Sequence, residues 1–286
     1  MTISGRIPTT FDTNKFVPEI FSKDVVEAVK SKLVCIGAFD HSYQANLKKG
    51  DTLYIPKTNT ATAYEITAGK EIADSNSFNT SAVTLSISYW FGAKHTIDEM
   101  TMLQSQVAVE SEAVKENSYA ISKKIDTSVN ALFAALNGSS IAGTDGSAWT
   151  DPVLIAAVEK LDENDVPDTE RFWIGDPSVK GDIMGIDKFV RVDYGYGEQI
   201  PTGMFRKDIY GAPLLTTNNL TAVSGGTGAY GVYAHKKAIS IVIQSNLKSF
   251  VVPKPEFHQT ILETDALWGV VEVMDTFGYP IYTRLA

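Results

Sequence analysis

No glycine or proline interrupts residues 93–137, and that uninterrupted run constrains the chain more than anything else in it. Within it Leu103, Val107, Val114, Ile121, Ile125, Val129, Leu132 and Leu136 recur in steps of three, four or seven, the spacing of one helix face. Thr96-Ile97-Asp98-Glu99 has capping-box spacing at one end, and Asn137-Gly138 is a stop at the other. The pattern predicts one helix over 98–136, about 58 Å long at ~1.5 Å per residue. That is longer than a small globular domain is wide, so the helix must serve as the spine of an elongated subunit. The stripe is too uneven in density, and too poor in sustained heptads, for a coiled coil.

The flanks are of other kinds. Residues 2–16 are polar and aperiodic and read as an extended arm. Ile20, Phe21, Val25, Val29 and Leu33 predict a first helix over 19–34, opened by Pro18, with Gly37 as terminator. From Leu47 the pattern turns to strands. Residues 52–55, 62–67 and 83–89 alternate, and in the last Val83, Leu85, Ile87 and Tyr89 face one way. This is a long polar hairpin with its tip near 68–77. Two-stranded ribbons are marginal in water, so it must be mobile or lie on another molecule. After a Gly/Ser linker at 139–147 come a helix at 151–161 (Asp151 as N-cap, Pro152 at its first position), a strand at 171–174 and a short helix at 178–184. Strand-like runs follow at 205–215, 230–243, 250–252, 257–262, 267–274 and 281–285. Helices and strands are segregated rather than alternating, and the fold class is α+β.

Composition and motifs exclude several functions. With 44% hydrophobic and 21% charged residues the chain has material for a core, and no run approaches the ~20 apolar residues of a membrane span. Residues 1–15 lack the apolar region of a signal peptide. The 25 Lys and Arg against 34 Asp and Glu leave a net charge of −9 with no basic tract, which disfavours nucleic-acid recognition. The single cysteine, Cys35, lies in an apolar run and reads as a buried thiol in a reducing compartment. Gly226-Thr-Gly228-Ala-Tyr-Gly231 spells a dinucleotide fingerprint, but a polar loop precedes it and a strand follows it, where the chemistry needs a helix; a flexible turn is expected. The acidic stretch Asp162, Glu163, Asp165, Asp168 has Pro167 and Trp173 at the sixth and twelfth positions from Asp162, so it is not an EF-hand and reads as a solvated loop. His41, His95, His235 and His258 are scattered and predict no metal. Neither a cofactor nor an active site is expected.

Taken in order, these features resemble the tailed-bacteriophage major capsid proteins with the HK97-type fold. The segment Phe16-Val-Pro18-Glu-Ile-Phe21 to Leu33 resembles their N-arm, and Gly50-Asp-Thr-Leu-Tyr-Ile-Pro56 the start of their extended E-loop. Val83 to Tyr89, His95-Thr-Ile-Asp98 and Gln104-Ser-Gln106 resemble the return strand and spine helix. Asn164-Asp-Val-Pro167 to Arg171, Tyr230 to Ala238 and Leu267 to Pro280 resemble the axial domain and closing strands. No one motif is diagnostic; order and spacing over nearly the whole chain carry the likeness. The resemblance implies an N-arm and N-terminal helix at 1–46, an E-loop hairpin at 47–92, a peripheral domain with the spine helix at 93–147 and 244–272, and an axial domain at 148–243 and 273–286. It implies self-assembly as pentamers and hexamers into an icosahedral head around double-stranded DNA. The expected inter-subunit contacts are Phe16, Pro18 and Phe21 of the arm and Lys57, Tyr64, Lys70 and Glu71 of the hairpin. Expected partners are other copies of the chain, a separate scaffolding protein (no fused scaffolding segment precedes the first helix), a portal and a decoration protein. DNA would be met only by non-specific proximity, and no membrane is involved. The expected location is the virion capsid, assembled in the host bacterial cytoplasm. Alternatives are an encapsulin-like nanocompartment shell and a soluble polar-β binding protein or hydrolase.

Overall fold

A computed structural model describes residues 30, 33–45, 50–58, 63, 65–66, 68, 80–104, 109–190 and 208–285. Three sheets organise them. A five-stranded sheet has the order β10-β7-β4-β6-β5, built from β4 (Arg171–Gly175), β5 (Asp208–Ile209), β6 (Ala212–Thr216), β7 (Gly228–His235) and β10 (Gly278–Arg284). Only β4 and β6 are parallel. Helices α4 (Asp151–Glu163), α5 (Ser178–Met184) and α6 (Asp187–Val190) accompany this sheet. Leu154, Ala157, Leu161, Val179 and Ile183 join Trp149, Trp173 and Tyr233 in one core. A three-stranded antiparallel sheet has the order β3-β9-β8, from β3 (Tyr89–Asp98), β8 (Ile239–Lys254) and β9 (Gln259–Glu272). Helix α3 (Val109–Asn130) lies on one face of it through Ile121, Ile125, Ala266 and Trp268. Strands β1 (Thr52–Thr58) and β2 (Thr80–Ser86) form a separate antiparallel hairpin. A second core, with Phe39, Val129, Phe133, Leu136, Phe172, Val232 and Ile241, joins the two larger sheets.

The long helix is real but shorter than its stripe. Residues 105–108 lie outside the described ones, and α2 (Glu99–Gln104) precedes them. Helix α3 runs unbroken past Ser118 and ends at Asn130, a length of about 33 Å. Beyond it the chain tightens into 3-10 turns at Phe133–Ala135 and Asn137–Ser139. Those turns aim Phe133 and Leu136, both fully buried, at the five-stranded sheet rather than along the face of α3. At the other end Thr96, Ile97 and Asp98 are strand: they pair with Ile261, Thr260 and Gln259, and Asp98 accepts a hydrogen bond from Gln259 at 2.8 Å. Ladder pairing has taken the residues that spelled a capping box.

Other local expectations are also corrected. Most of the first predicted helix lies outside the described residues, but Lys30, Leu33 and Val34 within it are not helical. The helix found there is α1 (Cys35–Ala38), which contains Gly37 rather than stopping at it. The predicted strand 83–89 is two strands that part at Ile87 and Ser88. There Gly269 of β9 passes beneath, and a Cβ on it would stand 2.5 Å from the Ser86 carbonyl oxygen. The N-cap of α4 is Thr150, not Asp151. The Asp151 carboxylate is instead held by Lys188 at 2.5 Å and by the Tyr210 hydroxyl, which lowers its pKa. The strand-like run 250–252 belongs to one long strand, β8, and residues 259–262 and 267–272 belong to another, β9; residues 257 and 258 lie in the turn between them, and 273–274 lie beyond β9.

Candidate functional site

Glycines 226, 228 and 231 have a structural task. The Asp145 carboxylate accepts the Thr227 and Gly228 amides at 2.9 and 3.0 Å, where a phosphate would have to sit. A Cβ on Gly228 would lie 2.4 Å from the Thr283 carbonyl oxygen, and one on Gly231 2.7 Å from that of Ile174. The expected turn is present at residues 224–227, and the Asp145 carboxylate with close backbone packing locks it to the start of β7. The acidic stretch resolves similarly. Arg171, nearly buried, pairs with Asp162 at 2.6 Å and Asp168 at 2.8 Å and donates to the carbonyls of Val166 and Pro167. Two of those carboxylates therefore hold an arginine rather than face only water.

The histidines are dispersed. His41 donates to the Ile36 carbonyl at 2.5 Å, and His95 meets Asn117 Oδ1 at 2.7 Å. His235 accepts the Lys237 amide at 3.1 Å, and burial first of all lowers its pKa. His258, at the turn between β8 and β9, stands 3.6 Å from Glu99. Among the described residues no three His, Cys, Asp or Glu side chains gather as metal ligands. Cys35 is fully buried, as expected, but it is not among apolar groups alone. Its Sγ donates to Asn130 Oδ1 at 2.8 Å and its amide to Asp126 Oδ1 at 2.8 Å. Burial first, then the Asp126 charge, pushes the thiol well above its usual pKa, so it is a poor nucleophile.

What the fold does present is uncovered surface. In β9 the side chains alternate. Leu262, Thr264, Ala266 and Trp268 are buried toward α3, while Ile261, Glu263, Asp265 and Leu267 face the other way. Their ladder partners share that open face: Trp90 and Lys94 on β3, Lys248, Phe250 and Val252 on β8. Trp90 is 74% exposed and Phe250 50% exposed. The last nine residues of β8 are exposed on both sides, and at the turn beyond it Phe257 is 65% exposed. An open aromatic and aliphatic sheet face of this kind marks an interaction surface. The sequence predicts a strand over 250–252, and that expectation includes no uncovered face there. Three consecutive apolar residues, Phe250-Val251-Val252, are nonetheless the sequence signal for one, because a strand places successive side chains on opposite faces and so leaves both faces apolar there.

The hairpin shows the same division. Leu53, Ile55, Val83 and Leu85 face inward onto Val242, Val271 and Val273, which anchors its base. Thr52, Tyr54 and Pro56 pair with Ser86, Thr84 and Ala82 on the outward face, where Tyr54 is 67% exposed. Of the contact residues expected from the sequence, Lys57 is described. It is half-buried on β1, and its charge acts on Glu272. Glu272 itself is pushed to higher pKa by burial and by a hydrogen bond to the neighbouring Asp275 carboxyl, with Lys57 opposing. Phe16, Pro18, Phe21, Tyr64, Lys70 and Glu71 lie outside the described residues.

This architecture is that of phage capsid subunits. A structure from Mycobacterium phage Che8 superposes with a TM-score of 0.78 at 18% identity, covering 94% of this chain and 97% of that one. The capsid of cyanophage P-SCSP1u gives 0.75 at 15% identity over 100% and 99% of the two chains. The mature capsid of bacteriophage PhiM1 gives 0.72 at 18% identity over 94% and 92%. The chain matches no protein-family model and no curated protein. The likeness is one of fold: α+β of the HK97 type, over the full length of the chain.

Proposed function

We propose that the chain is the structural subunit of a tailed-phage head, assembling as pentamers and hexamers into an icosahedral shell around double-stranded DNA. The observation that carries this reading is the capsid fold spanning the whole chain with its large apolar surfaces uncovered. Neighbouring copies would cover them, and head-to-tail contacts that close give rings. The hairpin would lie over the next subunit, with Lys57, Tyr64, Lys70 and Glu71 at that contact and Phe16, Pro18 and Phe21 at contacts of the arm. The peripheral domain would comprise 93–147 and 244–272, and the axial domain 148–243 and 273–286. Shell stability would come from many modest contacts, each raising the effective concentration for the next. The role is non-enzymatic, with scaffolding, portal and decoration proteins as partners, assembly in the bacterial cytoplasm, and the virion as destination. Net negative charge keeps the wall from adhering to DNA. Analytical ultracentrifugation and electron microscopy of purified material test the proposal. Closed megadalton shells support it. A stable small oligomer under all assembly conditions refutes it, and closed shells from phage-infected cells that never hold DNA favour a nanocompartment.

A further inference from the structure

The chain holds one Asn-Gly pair, Asn137-Gly138, in the turn that follows the spine helix. Such a pair is chemically labile, because a glycine nitrogen has no side chain beside it to obstruct attack on the asparagine Cγ. We propose that Asn137-Gly138 is a latent deamidation site that the fold holds shut, with Asp275 as its guard.

In that reaction the Gly138 nitrogen gives up its proton and forms a bond to Asn137 Cγ. The bond from Cγ to the side-chain nitrogen breaks, and ammonia leaves with the proton. Water then opens the cyclic imide to an aspartyl or an isoaspartyl residue at position 137. Water is the sole co-reactant, and it has access: Gly138 is exposed, and a Cβ on it would meet nothing within 4 Å.

Two features of the fold oppose the attack. The first is the backbone. Asn137 and Gly138 are the central residues of a turn closed by the Ser139 amide on the Leu136 carbonyl at 3.1 Å. Their φ values are 52° and 61°. In this left-handed region, which Asn-Gly type I′ turns use, ψ lies at about +30 to +60°. Asn137 Cβ and the Gly138 nitrogen then stand on nearly opposite sides of the Asn137 Cα–C bond, whereas imide closure needs them on the same side. The second feature is electrostatic. The Gly138 amide donates to both carboxylate oxygens of Asp275, each at 3.1 Å. An amide nitrogen that must shed its proton beside a carboxylate is opposed by like charge. Asp275 opens the 3-10 turn Asp275–Phe277, far along the chain, so the protection exists only in the folded subunit.

The modification would be one-way. Leu136, at the first corner of the turn, is fully buried, and its Cδ1 lies 2.7 Å from where a Cβ on Gly278 would stand. An isoaspartyl link adds a methylene to the backbone between that anchor and Ser139, and either product adds a carboxylate next to the residue that Asp275 holds. A chain that opens here long enough to react is therefore marked permanently. The inference concerns one polypeptide and stands whether or not shells form.

Peptide mass spectrometry of the full-length chain, incubated at mildly alkaline pH, tests it, with isoaspartate confirmed by enzymatic methylation. The folded chain should deamidate at Asn137 at least about tenfold more slowly than the same chain in urea, because attack waits on opening of the turn. Asp275→Ala should raise the folded-state rate at least about threefold, while Asn117-Ser118 inside α3 keeps its rate and so reports that the chain has not simply unfolded. Asp275→Asn keeps an acceptor and loses the charge, and it should give a smaller rise, again at Asn137 alone. If Asp275→Ala accelerates both positions, Asp275→Asn decides: a selective rise at Asn137 supports the guard, and no selective rise refutes it. Equal rates in the folded and unfolded chain would overturn the proposal. So would a rate in Asp275→Ala at or below that of the parent chain, which would make the carboxylate a bystander or a base.

Discussion

Asp126 is a carboxylate with no exposed surface, and it is held by donors from three separate stretches of sequence. It accepts the Cys35 amide at 2.8 Å, Asn219 Nδ2 at 3.0 Å and, more weakly, Asn130 Nδ2 at 3.4 Å. Asn130 in turn donates to the Asn219 carbonyl at 2.7 Å. Removing the acceptor leaves buried donors unpaired, each costing about 1–3 kcal/mol. Asp126→Ala should therefore destabilise the unassembled subunit by about 3 kcal/mol in urea unfolding, whereas exposed substitutions stay within about 0.5 kcal/mol. A second residue-scale expectation concerns pH. Glu272 has a raised pKa in the folded state, so the folded chain binds its proton more tightly than the unfolded chain does. Its contribution is present at acidic pH and is lost as pH rises through the raised value. Glu272→Gln keeps a donor for Asp275 and removes the charge. It should leave stability unchanged below the ordinary carboxylate range and raise it toward pH 8, by no more than about 1 kcal/mol at this half-buried site. Denaturation midpoints measured from pH 4 to 8 would show the two curves parting; a constant offset would contradict the assignment.

Among the elements, the hairpin separates folding from assembly most clearly. Its base is anchored through Leu53, Ile55, Val83 and Leu85, whereas the connection between Thr58 and Thr80 is far longer than ordinary hairpin loops. Deleting residues 68–76 should leave a soluble subunit with an unchanged unfolding midpoint that assembles poorly, as read by sedimentation. Normal shells after the deletion would contradict the contact proposed for the hairpin. Helix α3 was legible because its apolar positions repeat, but its face was read incompletely. The buried stripe runs through Ala113, Asn117, Ile121 and Ile125, and Asn117 is in it because its amide donates to the Leu262 carbonyl at 3.0 Å. A polar residue that finds its partner across 145 positions has no local signature.

For the whole molecule, the exposed sheet face gives the sharpest expectation. Trp90 and Phe250 lie on the side of the β3-β9-β8 sheet away from α3 and are at least half exposed. Trp90→Glu and Phe250→Glu should each fold with a stability within about 1 kcal/mol of the parent chain. If the face is covered in a shell, each should cut particle yield at least tenfold, because burying an unpaired charge is costly. Wild-type yields from both would mean that the face stays open to solvent.

Sequence by itself determined the segregated α+β order, the spine helix, the hairpin and the short elements at 171–174 and 178–184, because each repeats a local period or carries its own turn residues. It also gave the absence of a dinucleotide helix after Gly231, since a strand pattern follows that residue. Only the tertiary structure decided where α3 stops, why residues 96–98 are strand, what fills the glycine-rich lock, and which apolar faces remain bare. Those outcomes depend on partners far along the chain: Gln259 for Asp98, Asp145 for Gly228, and the five-stranded sheet for Phe133. A local period states which side of an element is apolar. Whether that side is covered, and by what, is fixed when distant segments compete for the same ladder, the same core and the same hydrogen bonds.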